Sequence, residues 1–371
     1  MINYRNIENE CLSEELRKQM QQTPQDKKFH GEGNVWVHTE MVYHNLDLRG
    51  LTERQAAELH IAALLHDIGK VRTTQVNGDD ITCPNHSTVG ARMTREILWK
   101  NFGLAGTQEA LNFRETICAL VRYHGLAPHA LEDEFALAKI YRASSVGLLG
   151  ASDFTMDLLY RLSRADMLGR ICQDQEDAVA AVDCFREIAD EEDILFNAPA
   201  FDDTYSTHQF LNFKTGNCVK PQLYDDTVCS VVMLCGLPGT GKDTYISKSF
   251  CSDWPIISLD DIRKELRLKA GDTNGIVIQT AKERAKEYLR QKKSFVWNAT
   301  NLTQQRKQLI DLFETYKARV YIDYVETTLE EQRRRNHNRE DIVPLTVIDD
   351  MIGKLVLPEY HEAQYVSWNI I

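Results

Sequence analysis

The stretch Val228 to Thr244, VCSVVMLCGLPGTGKDT, constrains this chain more than any other. An apolar, β-branched run leads into Gly236-Leu237-Pro238-Gly239-Thr240-Gly241-Lys242 and then Asp243-Thr244, the order of a buried strand, a glycine-rich turn and a helix start. Glycines let backbone N–H groups curl round a phosphate, the positive end of the next helix faces it, and the lysine reaches the outer phosphates. A plain turn between strand and helix needs no lysine in that register. The pattern predicts a P-loop in which Gly236, Pro238, Gly239, Thr240, Gly241, Lys242, Asp243 and Thr244 surround ATP or another NTP with Mg²⁺. It departs from the usual form at one position. Ser or Thr ordinarily follows the lysine, and here Asp243 stands there with Thr244 one place later. Asp243 is therefore a candidate Mg²⁺ ligand, directly or through water.

A chain of 371 residues suggests two domains or one large one. Hydrophobic residues at 43% and charged residues at 26% fit a globular protein with real cores. The amino-terminal residues alternate polar and acidic side chains without an apolar stretch, and no run is long enough to span a bilayer. Nine scattered cysteines without a CxxC pair read as free thiols, so a cytoplasmic setting with no membrane partner is expected. A net charge of −12 argues against a protein that grips nucleic acid along its length, while leaving room for a local basic groove.

The first half carries apolar residues at helical spacing in segments such as Arg54 to Leu65, Arg92 to Phe102, Ala136 to Tyr141 and Asp157 to Arg164, with few strand-like alternations. An all-α domain over 1–197 is expected. Within it lies a series of metal-type ligands: His38, the doublet His66-Asp67, His86, His124 and Asp166. The Ile68-Gly69-Lys70 break turns the doublet inward from its helix. His38, His66, Asp67 and Asp166 resemble the HD phosphohydrolase pattern of a histidine, a His-Asp doublet and a distal aspartate. Around His38, PQDKKFHGEGNVWVHTEM is similar to the HD region of bacterial tRNA nucleotidyltransferases, which implies phosphate esters at RNA 3′ ends as substrates. The resemblance implies a divalent transition metal or Mg²⁺. His86 and His124 sit where some HD members hold a second metal, with phosphate contact or hydrogen-bond support as the other readings. Lys70, His30 and Arg170 are candidates for holding phosphate oxygens. His44, His60 and His129 read as ordinary surface or core histidines.

Residues 198–226 mix Pro, Gly, Asp and aromatics as a loop-rich, packed linker, with Tyr205, Phe210 and Phe213 as anchors. From 227 to 371, short apolar strands alternate with helices: strands at Val228 to Cys235, Pro255 to Leu259, Ser294 to Trp297 and Arg319 to Val325, and helices over Val277 to Lys292 and Gln304 to Lys317. This predicts an α/β domain with a parallel sheet and ligands at the carboxyl ends of its strands. After the second strand comes Asp260-Asp261-Ile262-Arg263, after the third Asn298-Ala299-Thr300-Asn301, and a charged segment carries Arg335 and Arg339. With the P-loop, this set resembles the 5′-kinase domain of the phage polynucleotide kinase group. The resemblance implies Asp260 as general base, Arg263 on the acceptor's phosphate, and Arg335 and Arg339 as donor clamps beside Lys242. Asn298 stands where related kinases commonly carry aspartate, as if the carboxylate near Mg²⁺ had moved to Asp243. Asp261 reads equally as a helix N-terminal charge, and Lys307, Arg333 and Arg334 as solvated surface.

Together the halves resemble bacterial enzymes that fuse an HD domain to a polynucleotide kinase. The implied activities are hydrolysis of 2′,3′-cyclic or 2′-phosphates at RNA 3′ ends and phosphorylation of 5′-hydroxyls. The implied partners are RNA ends, with DNA left open, an NTP donor, and a functional link to an RNA ligase. The alternative is an HD nucleotidohydrolase fused to a nucleoside or metabolite kinase.

Overall fold

The computed structural model describes residues 2–78, 80–132, 134–268, 274–300, 303–339 and 341–371, apart from the side chains of residues 274 and 303–305. It divides into two compact units, Met1–Leu104 with Gln108–Ala200, and Ala105–Thr107 with Phe201–Ile371. Of the stretch expected as a linker, residues 198–200 fall in the first unit and 201–226 in the second. Asn301 of the sequence reading lies outside the described residues.

The first unit is built from α1 (Tyr4–Glu10), α2 (Glu14–Gln22), α3 (Val35–His44), α4 (Glu53–Leu65), α5 (Lys70–Thr73), α6 (His86–Phe102), α7 (Gln108–Tyr123), α8 (Ala136–Ser144), α9 (Met156–Leu168) and α10 (Gln175–Glu191). It also contains a small antiparallel hairpin, β1 (Gln75–Asn77) and β2 (Asp80–Thr82), which the helical reading did not anticipate. The hairpin's three-residue strands are mostly exposed, so no apolar period announces them. Thr52 opens α4 with a capping box to Gln55. Ala57, Leu59, Ile61, Ala62, Ala63 and Leu65 of α4 are then buried, which anchors the helix that delivers His66-Asp67.

Two contacts fix what α4 meets. A Cβ on Gly69 would lie 2.0 Å from the His86 carbonyl oxygen and 2.7 Å from the Gly90 nitrogen. Only a hydrogen fits there, and the start of α6 comes against the turn after the doublet. Further along, Arg95 and Arg114 both grip the buried Glu115, at 2.6 and 2.7 Å, and the Arg114 guanidinium lies 4.1 Å from the Trp99 ring centre. Burial alone would raise the Glu115 carboxyl, but the two arginines hold it below its ordinary value. This network fastens α6 to α7, and the start of α6 lies beside the end of α7.

The second unit holds a five-stranded sheet: β3 (Cys229–Cys235), β4 (Ile256–Ser258), β5 (Phe295–Asn298), β6 (Ala318–Glu326) and β7 (Tyr365–Ile370). Their order is β4-β5-β3-β6-β7 and every neighbouring pair is parallel. Around it run α11 (Thr204–Leu211), α12 (Lys242–Ile246), α13 (Leu259–Glu265), α14 (Asn274–Arg290), α15 (Thr303–Thr315), α16 (Leu329–His337) and α17 (Leu345–Lys354). β3 is central and buried almost throughout, as a strand covered on both faces must be. Register aligns Leu234 with Asn298 and Ser258 with Asn298, so the ends of β3, β4 and β5 share one edge. Two elements differ from the sequence reading. α11 lies where a loop was expected, capped by Asp203 and seated by the buried Phe210 and Leu211. β7 adds a fifth strand as a half-exposed edge whose weak alternation gave no clear signal.

Gly69→Ala should destabilise the first unit by about 1–3 kcal/mol through overpacking at this junction. Chemical denaturation that leaves the midpoint unchanged would show that the α4–α6 approach is not as tight as described.

Candidate functional site

The ends of α3, α4, α6, α7 and α9 bring His38, His66, Asp67, His86, His124 and Asp166 together. In each imidazole Nδ1 faces a backbone carbonyl: Gly169 for His38 at 3.2 Å, Ala63 for His66 at 2.8 Å, Cys83 for His86 at 3.0 Å and Val121 for His124 at 2.9 Å. A carbonyl only accepts, so the proton sits on Nδ1 and Nε2 is turned toward the centre. The Nε2 atoms of His66, His86, His124 and His38 stand 3.3, 3.6, 3.8 and 3.8 Å from the Asp67 carboxylate. His38 Nε2 is also 3.0 Å from Asp166, and the Nε2 atoms of His86 and His124 are 3.4 Å apart.

The charges are set by burial and by these neighbours. Burial would raise the Asp67 carboxyl, yet Lys70 and His66 hold it well below the usual range. Asp166 is held low in the same way by Arg170 and His38. Burial and the neighbouring His66 push His124 down to about 3, which leaves it a neutral ligand. For His38 burial acts downward, but hydrogen bonds to Asp166 and Glu32 push it up to about 9. His66 Nε2 and Asp67 Oδ1 are fully buried with no hydrogen-bond partner among the described residues. Buried acceptors without donors, inside two overlapping groups, His38-His66-Asp67 and Asp67-His86-His124, fit a divalent cation.

A cavity of about 580 Å³ opens beside these groups, lined by His30, Lys70, His86 and Arg170 among others. Lys70 Nζ is 2.7 Å from Asp67, Arg170 is 3.1 Å from Asp166, and His30 Nδ1 is 2.7 Å from Glu32. The three candidates for holding phosphate thus each touch an acidic group while lining the cavity. Sequence reading passed over Glu32. Its carboxylate touches both His30 and His38, at 2.7 and 3.0 Å, and accepts the Ile171 N–H. An acid between two histidines in HGEGNVWVH was the available signal.

In the second unit Gly236, Gly239 and Gly241 take φ of 146°, 82° and 93°, the region glycine favours. A Cβ on Gly236 would meet the Val325 carbonyl oxygen at 2.4 Å. Thr240 closes the loop by donating its hydroxyl to Leu237 O, and Pro238 O accepts from Gln332, a residue of α16 the sequence reading did not single out. Lys242 Nζ donates to the Gly236 and Leu237 carbonyls at 2.9 and 3.0 Å. Arg335 donates to Thr240 O at 3.1 Å and is held by Glu331, also unremarked in the sequence. Asp260, in the first turn of α13, pairs with Arg263 at 3.0 Å and Arg339 at 3.3 Å. Asn298 Nδ2 donates to Asp243 Oδ1 at 2.7 Å, so the two departures from the usual kinase pattern are in direct contact. Thr244 is exposed one place beyond them.

Residues 35–146 match the family model of the HD domain, and residues 231–358 match that of an AAA domain. The chain carries an HD domain and an AAA domain. No curated protein matches it. Similar solved structures include a protein described as a kinase from Chloroflexus aurantiacus, 14% identical, covering 38% of this chain and 89% of that one with a TM-score of 0.29. Another is a gluconokinase from Sinorhizobium meliloti, 14% identical, covering 39% and 84% with a TM-score of 0.28. The AAA domain is kinase-like in its P-loop and parallel sheet, which implies a nucleotide with Mg²⁺, and the HD domain implies a divalent metal. No helix among the described residues is long and apolar enough to cross a membrane.

Burial lowers the Lys242 ammonium to about 8 in the AAA domain. At pH 8.5 the free lysine is then largely neutral, and donor phosphates would restore its proton. Calorimetry of nucleotide binding in buffers of different ionisation enthalpy should register proton uptake at pH 8.5 that shrinks toward pH 6.5. Net proton release at pH 8.5 would count against this placement.

Proposed function

We propose that the HD domain hydrolyses 2′,3′-cyclic or 2′-phosphates at RNA 3′ ends and that the AAA domain phosphorylates 5′-hydroxyl ends from ATP. The observation that carries the kinase reading is Asp260. It is an exposed carboxylate just past β4, on the P-loop edge of the sheet, with Arg263 on one oxygen and Arg339 on the other. Phosphoryl transfer needs a carboxylate to accept the hydroxyl proton and fixed cations where charge develops. Asp260 takes that proton, Arg263 grips the acceptor's neighbouring phosphate, and Lys242, Arg335 and Arg339 stabilise the migrating group. An open carboxylate beside a guanidinium suits a polynucleotide end better than an enclosed metabolite pocket does.

In the HD domain His38, His66, Asp67 and Asp166 would hold one divalent ion, and Asp67, His86 and His124 a second. When bound, such ions polarise the phosphoryl group and lower the pKa of water. Lys70 steadies Asp67 and, with His30 and Arg170, lines the cavity that receives the phosphate ester. A second reading has its own support. Asp26, Glu132, Asp174 and Asp177 also line the cavity, and the net charge is −12, both of which favour a small phosphate ester over a polyanion. Acceptor binding should weaken steeply with salt for a polynucleotide and barely for a nucleoside.

The deciding assay uses a short RNA with a 5′-hydroxyl and a 2′,3′-cyclic phosphate, ATP, and Mg²⁺ or Mn²⁺. Lys242→Ala should abolish only the gain of 5′ phosphate, and Asp67→Ala only the reaction at the 3′ end. Reaction of nucleosides or nucleotides in place of RNA would transfer support to the small-molecule pair. If the carboxylate near Mg²⁺ has moved to Asp243, then Asp243→Ser with Asn298→Asp should recover kinase activity over either single variant. A double variant no better than the singles would reject the exchange.

A further inference from the structure

Gln25 lies in the stretch PQDKKFHGEGNVWVHTEM without a role of its own so far, and it is 3% exposed and lines the HD cavity together with Lys70, His86 and Arg170. An isolated antiparallel bridge between Pro24 and Asn34 ties the backbone beside it to the residue before α3. Lys70 Nζ lies 2.7 Å from Gln25 Oε1 and 2.7 Å from Asp67 Oδ2. An ammonium only donates, so the amide end facing it must be the oxygen, and the orientation of the side chain is set by chemistry. The other end, Nε2, is buried and has no hydrogen-bond partner among the described residues.

A buried amide nitrogen without an acceptor is unfavourable, and an arriving oxygen would remove the penalty. The lysine that donates to Oε1 also polarises the amide, which makes the Nε2 protons better donors to an anion. A neutral donor here adds a contact without adding a positive charge that would compete with a divalent cation. We propose that Gln25 is a substrate-positioning residue of the HD site, whose Nε2 donates to a non-bridging oxygen of the bound phosphoryl group. The chain Asp67–Lys70–Gln25 then links a metal-type ligand to a substrate contact through one ammonium. This inference rests on the reading of the HD domain as a phosphohydrolase.

The test uses the full-length protein with Mn²⁺, Gln25→Glu and Gln25→Met, inorganic phosphate as the probe ligand, and a 2′,3′-cyclic phosphate RNA end as substrate. Gln25→Glu keeps an acceptor for Lys70 but turns a carboxylate oxygen toward the phosphate, while Gln25→Met removes the donor with little change in volume. Calorimetry should show phosphate affinity reduced roughly 10-fold or more in both. KM should rise while kcat changes much less, and the melting temperature of Gln25→Glu should stay near that of the wild type. Wild-type phosphate affinity in both variants would overturn the proposal and leave Gln25 as a prop for Lys70. If phosphate binding depends on Gln25 but no phosphate ester is cleaved by the wild type, the hydrolase reading falls and the phosphate contact stands. If cleavage proceeds unchanged in both variants, the reading stands and the contact falls.

Discussion

Asp67 is a carboxylate taken fully out of water, with one oxygen on Lys70 and the other without a donor among the described residues. Such a group is tolerable only where positive charge surrounds it. Lys70 supplies one cation, and the four imidazoles, whose backbone carbonyls decide which nitrogen each presents, offer acceptors that would hold a divalent ion beside it. The HD unit is organised to satisfy this one group. α4 is capped and buried so that the doublet arrives at a fixed place, Gly69 lets α6 approach it, and the buried Arg95–Glu115–Arg114 network fastens α6 to α7, the helices that carry His86 and His124.

The AAA unit has the opposite arrangement, cations gathered beside its P-loop. Lys242 rests on the carbonyls of its own loop, Arg335 on Thr240 and Glu331, and Arg263 and Arg339 on Asp260. None of these arginine contacts is a deeply buried ion pair. Exposed pairs of this kind are worth little in water, so these arginines can change partners at small cost. The parallel sheet places these groups on one edge because the central β3 feeds the P-loop while β4 and β5 end alongside it.

Both units are suited to phosphate, but by different chemistry. One gathers acceptors that call for a metal, and the other gathers donors that call for an anion. The contact between Asn298 and Asp243 belongs to this second logic. Two carboxylates at that distance would repel one another, and an amide opposite Asp243 avoids the repulsion while orienting the acid.

The sequence by itself located an HD half and a P-loop half and singled out the His and Asp side chains that the first unit gathers. Those signals are local: glycines before a lysine after an apolar run, or a His-Asp doublet broken out of a helix by Gly69. It also pointed to Asp260 and Arg263, because residues after a strand in such a sheet fall at its carboxyl edge. What only the tertiary structure decided is which distant groups meet. Gln332 on the P-loop carries no pattern of its own, and Glu32, Gln25 and Asn298 lie in stretches that the sequence marks without saying that they meet His30 and His38, Lys70 and Asp243. The hairpin at 75–82 and the strand β7 escaped for a related reason, since exposed or edge strands need no strict apolar period. A spacing rule reports the periodicity of one element, whereas a hydrogen bond between elements depends on where packing brings their ends.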